Sequence, residues 1–286
     1  MSMHLLRMLL LLYTAAVTFT GAIAAASTNP LQVELPETVK KQGEFFTVRV
    51  SGTSSKPALW FMERSYSMFR QPDSSWRAMV PVENLTKPGS YALRIKTENS
   101  EQKVPVQVKA NNRKIQYIKL DPSKQGLKAT ETEKLRVKTA LQTESPEKLY
   151  TGAFLRPSPG RTSSLFGLKR SYNGAPVESY HKGIDISAPL GTPVKSTAKG
   201  RIVLCGTVNE GFRVHGNTVV IDHGQGLTTI YMHLHAITVK EWQNVEKGEV
   251  IGTVGHTGIS TAPHLHWGTY LYGTSVDPQL FEGKTY

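Results

Sequence analysis

The strongest constraint on the fold is a recurring two-residue alternation of apolar and polar side chains, in short runs closed by glycine or proline. It occurs in Gln32-Val33-Glu34-Leu35, Phe46-Thr47-Val48-Arg49-Val50, Ala58-Leu59-Trp60-Phe61, Tyr91-Ala92-Leu93-Arg94-Ile95 and Val104-Pro105-Val106-Gln107-Val108. Period two is the pattern of a half-buried strand, and the breaks at Gly52, Pro57, Pro72-Asp73 and Pro88-Gly89 suit a small antiparallel sandwich. From Leu190 onward the pattern is again β, in Val203-Leu204, Thr218 to Ile221, Leu227 to Tyr231 and Glu249 to Val254, separated by Gly200, Gly211, Gly216, Gly224, Gly226 and Gly248. Dense glycine turns of this kind predict a compact antiparallel sheet or barrel-like body with no long helix.

Pro88-Gly89-Ser90-Tyr91 ahead of a strand is similar to an immunoglobulin-type corner, so residues 27–108 are read as an Ig-like β-sandwich. Its aromatics Trp60, Phe61, Trp76 and Tyr91 are read as core. Residues 109–150 read as a connector: a strand-like Ile115 to Leu120 ends at Asp121-Pro122, and a helix over Thr130 to Gln142 follows. Thr130-Glu131-Thr132-Glu133 is a capping-box pattern, while Leu135, Val137 and Leu141 supply a weak apolar face. The helix is expected to pack between the halves, and residues 151–286 form the second domain. With 286 residues, 39% of them hydrophobic and 20% charged, the chain predicts an all-β protein of two domains with two cores.

The N-terminus reads as a secretory signal over residues 1–26. Arg7 precedes an apolar run from Met8 to Val17, and cleavage after Ala24 or Ala26 completes an A-x-A pattern. An uncleaved anchor is the alternative, although Thr14, Thr18, Thr20 and Gly21 dilute the stretch. No cysteine lies near the cleavage region, which excludes a lipoprotein, and a single Cys205 excludes a disulfide framework and a multi-thiolate metal site. Cys205 itself reads as a buried strand residue. Export to the periplasm or envelope leaves no stable membrane span after cleavage, demotes nucleic acid as a partner and favours an anionic envelope polymer. The net charge of +12 fits such a polymer. Its excess lies mainly in residues 27–150, which carry 21 Lys+Arg against 13 Asp+Glu, compared with 12 against 9 in residues 151–286.

The chemistry concentrates in three groups: His181-Lys182-Gly183-Ile184-Asp185, Tyr231-Met232-His233 and His264-Leu265-His266-Trp267. Residues two apart in a strand share a face, so His264 and His266 enter one site. If one of this pair joins His181 and Asp185 on a metal, its neighbour stands close enough to handle protons. Two His and one Asp leave a fourth tetrahedral position open, the arrangement of catalytic zinc, which polarises a carbonyl and lowers the pKa of a bound water to ~7. Attack on a carbonyl with an amine as leaving group also needs a proton acceptor and donor, which unligated histidines supply. His235, two residues after His233, is a rival for the proton role. His215 and His256 read as loop residues, and His223 as a turn-capping or buried structural residue.

These segments, with Gly191-Thr192-Pro193-Val194, Gly216 to Gly224, Val245-Glu246-Lys247-Gly248 and Gly255-His256-Thr257-Gly258, resemble the M23 (LytM/lysostaphin-type) zinc peptidases over about Phe166 to Phe281. Ser164-Leu165-Phe166-Gly167-Leu168-Lys169-Arg170 is similar to the family's lead-in, with Lys where Arg is common. The resemblance implies a peptidoglycan endopeptidase acting on crosslinks or stem peptides, with zinc on His181, Asp185 and His266. His233 and His264 then serve as catalytic base and acid. It also implies a groove wall over Tyr172 to Tyr180, where either Tyr172 or Tyr180 would assist the oxyanion; Asn173, in Asn173-Gly174, reads as a turn residue. A non-enzymatic regulator of other wall hydrolases is the competing class, but such a module has no chemical need for this complete set of histidines and Asp185.

Overall fold

The computed structural model describes residues 31–35, 37–177 and 179–286. The proposed signal segment 1–26 lies outside them. Among the described residues, no helix is long and apolar enough to cross a membrane.

The chain is nearly all β. In the first half, a four-stranded sheet (Gln32–Glu34, Phe45–Ser51, Trp76–Pro81, Phe69–Arg70) faces a five-stranded one (Val39–Lys41, Glu101–Lys109, Gly89–Lys96, Ala58–Phe61, Arg64–Tyr66). Alternation places Phe46, Val48 and Val50 of one sheet and Leu93, Ile95, Val106 and Val108 of the other in the same buried cluster. Tyr91 Oη donates back to Lys87 O at 2.7 Å, closing the corner ahead of its strand. Trp76–Pro81 escapes the alternation because Arg77 interrupts it. That arginine is buried, donating to Gln225 Oε1 at 3.2 Å across the boundary between the halves, so this strand is covered on both faces.

In the second half an eight-stranded antiparallel sheet runs Arg161–Ser164, Ile184–Ser187, His264–Leu271, Leu227–Leu234, Asn217–Gly224, Gly200–Gly206, Asn244–Val245, with Thr274–Val276 also on His264–Leu271. The expected two cores are joined: Phe45 stacks on Phe281 at 5.0 Å, and buried residues of both halves form one contiguous cluster.

Residues 109–150 do more than connect. Ile115–Ile118 pairs in parallel with Lys169–Tyr172, which also pairs with Ser179–Tyr180, so the connector supplies one strand of a separate three-stranded sheet. The helix is Glu131–Leu141, capped by the Thr130/Glu133 box. It does not lie between the halves. Val137, Ala140 and Leu141 pack on Leu204, Val220 and Ile230 of the large sheet and on Phe212 of the loop between two of its strands, while Leu135 of the expected apolar face is exposed.

Candidate metal centre

The strand Ile184–Ser187 pairs with His264–Leu271 so that Asp185 lies opposite His266 and Ser187 opposite His264. Alternation sends Leu265 and Trp267 into the core and turns His264 and His266 the other way. His181 reaches the same point over Gly183, where a Cβ would lie 2.4 Å from Trp267 O and 2.7 Å from His266 Nε2; no side chain larger than hydrogen fits there.

Three atoms converge. His181 Nε2, Asp185 Oδ1 and His266 Nδ1 are each 2.9 Å from the other two. That triangle is slightly tighter than the ~3.4 Å edge of a tetrahedron drawn with bonds of ~2.1 Å. The donor chemistry suits a cation. His181 Nδ1 commits its proton to Leu165 O at 2.9 Å, which leaves Nε2 as a lone pair. Burial keeps both imidazoles neutral, lowering His181 and pushing His266 down to about 4. Burial alone would raise Asp185, but its contacts with His181 and His266 more than reverse that, so it stays ionised. Two lone pairs and one carboxylate oxygen aimed at one point can hold a metal ion.

Two further histidines border this point. His264 Nδ1 donates to Ala262 O at 2.8 Å and its Nε2 stands 3.8 Å from Asp185 Oδ1. His233 Nδ1 donates to Thr257 O at 2.8 Å, and its ring centroid is 4.9 Å from that of His264. Both rings therefore have Nε2 free. Burial, with His264 and His266 nearby, holds His233 well below the ordinary histidine range.

His233 has a φ of 64°, in the left-handed region. The turn breaks strand alternation at that residue, so His235 does not follow it inward and is exposed. Among the described residues, the other histidines lie outside the cluster. His223 is buried with both ring nitrogens paired, to Lys199 O and Thr229 Oγ1 at 2.8 Å each. His215 is held by Glu133, and His256 contacts Ser260 Oγ at 3.1 Å. Cys205 is half-buried and its thiol is pushed up to about 11 by burial. The two tyrosines separate: Tyr172 lines the cleft, whereas Tyr180 is buried with its hydroxyl on Ser275 Oγ at 3.0 Å. Asn173, with a φ of 50°, turns the chain together with Gly174, and its Oδ1 accepts from Leu120 N at 2.9 Å, reaching the connector.

Sequence reasoning missed the cleft's far wall. Gln116, Ile118 and Leu120 line the site together with Ile259, Ser260 and Thr261, and Gln116 Oε1 accepts from Ser164 Oγ beside His181. Parallel pairing between segments some 50 residues apart leaves no local signature. Arg170, within the lead-in segment, bonds Asp185 Oδ2 at 3.1 Å and Tyr172 Oη at 3.2 Å, contacts that leave no local pattern in the sequence.

Residues 179–278 match the profile of peptidase family M23. This segment is an M23 peptidase domain. Over 118 residues the chain is 47% identical to the DD-carboxypeptidase/endopeptidase Mpg of Neisseria meningitidis serogroup B, which covers 41% of this chain and 26% of that protein. Over 120 residues it is 39% identical to the peptidoglycan DD-endopeptidase ShyA of Vibrio cholerae, covering 42% and 27%. The match thus spans about a quarter of these relatives' length. A crystal structure from Pseudomonas aeruginosa assigned to peptidase M23 is similar across both halves, with a TM-score of 0.64 and 27% identity over 88% of this chain and 97% of that one.

Proposed function

We propose that the protein is an exported zinc-dependent endopeptidase that hydrolyses peptide crosslinks or stem peptides of peptidoglycan in the periplasm or envelope. The observation that carries this reading is the meeting of His181 Nε2, Asp185 Oδ1 and His266 Nδ1 at 2.9 Å, with the free Nε2 of His264 beside them. Relatives named for DD-endopeptidase activity, one of them on peptidoglycan, support the substrate class.

In this reading His181, Asp185 and His266 hold the ion. Zinc bound there supplies Lewis acidity toward the scissile carbonyl and an acidified water. The remaining work falls to side chains. His264 and His233, each anchored through Nδ1 to a main-chain carbonyl, present Nε2 to the cleft; one removes the proton of the attacking water and one returns a proton to the departing amine. Burial keeps the His233 ring neutral, so its Nε2 carries a lone pair. Arg170 places the Tyr172 hydroxyl on the cleft wall, where it can donate to the carbonyl oxygen as negative charge develops.

The test is hydrolysis of isolated cell walls and of a soluble crosslinked muropeptide, with products identified by mass spectrometry, before and after metal removal and zinc readdition. Hydrolysis lost on stripping and restored by zinc is expected. Hydrolysis indifferent to the metal, or zinc bound with no peptide bond cleaved, would reject the reading.

A further inference from the structure

Glu133 is a fully buried carboxylate outside the metal cluster, on the first turn of the connector helix. Capping that helix requires only one of its contacts, from Thr130 N at 3.3 Å. The others reach away from the helix. Arg213 N donates at 3.0 Å to Oε2, while Val214 N at 3.0 Å, His215 N at 2.7 Å and His215 Nδ1 at 2.7 Å all donate to Oε1. Three successive main-chain amides and an imidazole close around one anion, as in a backbone nest that binds a ligand, except that the anion belongs to the chain itself. Burying a carboxylate is costly unless its lone pairs are met, and here five donors meet them.

The loop so anchored leads to His233. The carbonyl of His215 accepts His233 N at 3.1 Å, at the residue whose φ of 64° needs outside support. Val214 O accepts Ile259 N at 3.0 Å, and Thr257 Oγ1 accepts Asn217 N at 3.0 Å, tying the 213–217 segment to the 257–260 loop. That second loop supplies Thr257 O to the His233 ring and Ser260 Oγ to the His264 ring, at 2.8 and 3.1 Å. The His233 backbone, the Thr257 carbonyl on its ring and the Ser260 hydroxyl on the His264 ring thus all lie on segments tied to the loop that Glu133 holds, while the Ala262 carbonyl on the His264 ring lies two residues beyond them.

We propose that Glu133 is a positioning residue for the His233–His264 pair: its carboxylate fixes the 213–215 loop, which holds the backbone of one histidine and braces the loop that orients both rings. The proposal rests on the proton-transfer roles assigned above. A merely structural role, docking the helix on the sheet, is separable, because the helix also docks through Val137 and Leu141.

The test compares Glu133→Gln with Val137→Ala in the full chain. Gln is isosteric but turns an amide NH₂ toward main-chain N–H groups. Glu133→Gln should keep stoichiometric zinc and a KM within about 3-fold while kcat falls about 100-fold, the scale of one mispositioned proton-transfer group. Val137→Ala should melt earlier yet keep kcat. Imidazole ¹⁵N signals of His233 and His264 should shift in Glu133→Gln, with those of His223 unmoved. Should Glu133→Gln fail to fold, Glu133→Asp, which keeps the charge and shortens the reach, serves the same comparison. Unmoved His233 and His264 signals, or a kcat loss matched by Val137→Ala at equal loss of stability, overturns the proposal. The NMR readout needs no activity, so wild-type protein that hydrolyses nothing would sink the peptidase reading while still deciding whether Glu133 positions the pair.

Discussion

Arg170 donates Nη2 to Oδ2 of Asp185 at 3.1 Å, while Oδ1 of the same carboxylate lies 2.9 Å from both His181 Nε2 and His266 Nδ1. The two oxygens have separate tasks, one facing the metal point and the other tied to a guanidinium that also holds Tyr172. Outer partners of this kind orient ligands and typically contribute 10–100-fold to metal affinity. Arg170→Gln should weaken zinc binding by about that factor in a chelator competition assay; unchanged affinity would mean that Asp185 is oriented by its strand alone.

If His181, Asp185 and His266 share one ion, as proposed, each is indispensable. His181→Ala, Asp185→Ala and His266→Ala should each lose zinc and hydrolysis together. Stoichiometric zinc in purified Asp185→Ala, measured by elemental analysis, would remove Asp185 from the ligand set.

The neighbouring histidines should behave differently. His264→Ala and His233→Ala should retain zinc and lose hydrolysis by ~10²–10⁴-fold, whereas the exposed His235 can be replaced by Ala with little effect. Zinc lost from His264→Ala and kept in His266→Ala would exchange their roles.

These histidines also show what the sequence made legible. His264 and His266 needed only strand alternation, with Leu265 between them in the core. The same rule is what makes His235 a rival, because it assumes extended backbone, and His233 is left-handed. The capping box of Thr130 and Glu133 was readable from four residues, but not that the same carboxylate leaves its helix to bind residues 213–215, a contact some 80 residues away. Arg77 concealed a whole strand, since a charged residue reads as surface until its partner Gln225 is placed beside it. Local periodicity reports local geometry; the wall, the brace and the joined core are long-range facts.

Acid should act through Glu133. Burial raises this carboxyl, but the His215 ring and the amides of His215 and Val214 outweigh it and bring it from 4.5 to about 2. A group depressed in the folded state stabilises fully above its unfolded pKa and loses that contribution as pH falls through the folded value. The shift corresponds to about 3 kcal/mol. Urea unfolding of wild type and Glu133→Gln should therefore differ most above pH 5 and converge between pH 4.5 and 2. A gap independent of pH would mean that the contacts do not depend on the charge.

Attraction to an anionic wall should reside in the first half. The outer face of its five-stranded sheet pairs Lys103 with Arg94 and carries Lys96 and Lys109, all exposed. Attraction between exposed charges is screened beyond ~8 Å at physiological salt. Sedimentation with purified walls should fall as salt rises, and Lys96→Glu/Lys103→Glu/Lys109→Glu should flatten that slope while hydrolysis of a soluble peptide persists. Equal slopes would show that this face does not meet the wall.

The metal-facing atoms and the far wall of the cleft come from separate stretches of the chain. His181, Asp185, His233, His264 and His266 lie within residues 179–278, the stretch matched to peptidase family M23, whereas Gln116, Ile118 and Leu120 lie well before it. Inheritance can therefore act on the two independently. A lineage that exchanged the segment around residues 109–150 would acquire a new groove around the same histidine and aspartate cluster; under the proposed function, it would change which peptide fits without changing how the amide is broken. Such a graft would have to bring its own anion for the amides of residues 213–215, so the groove and the brace must travel together.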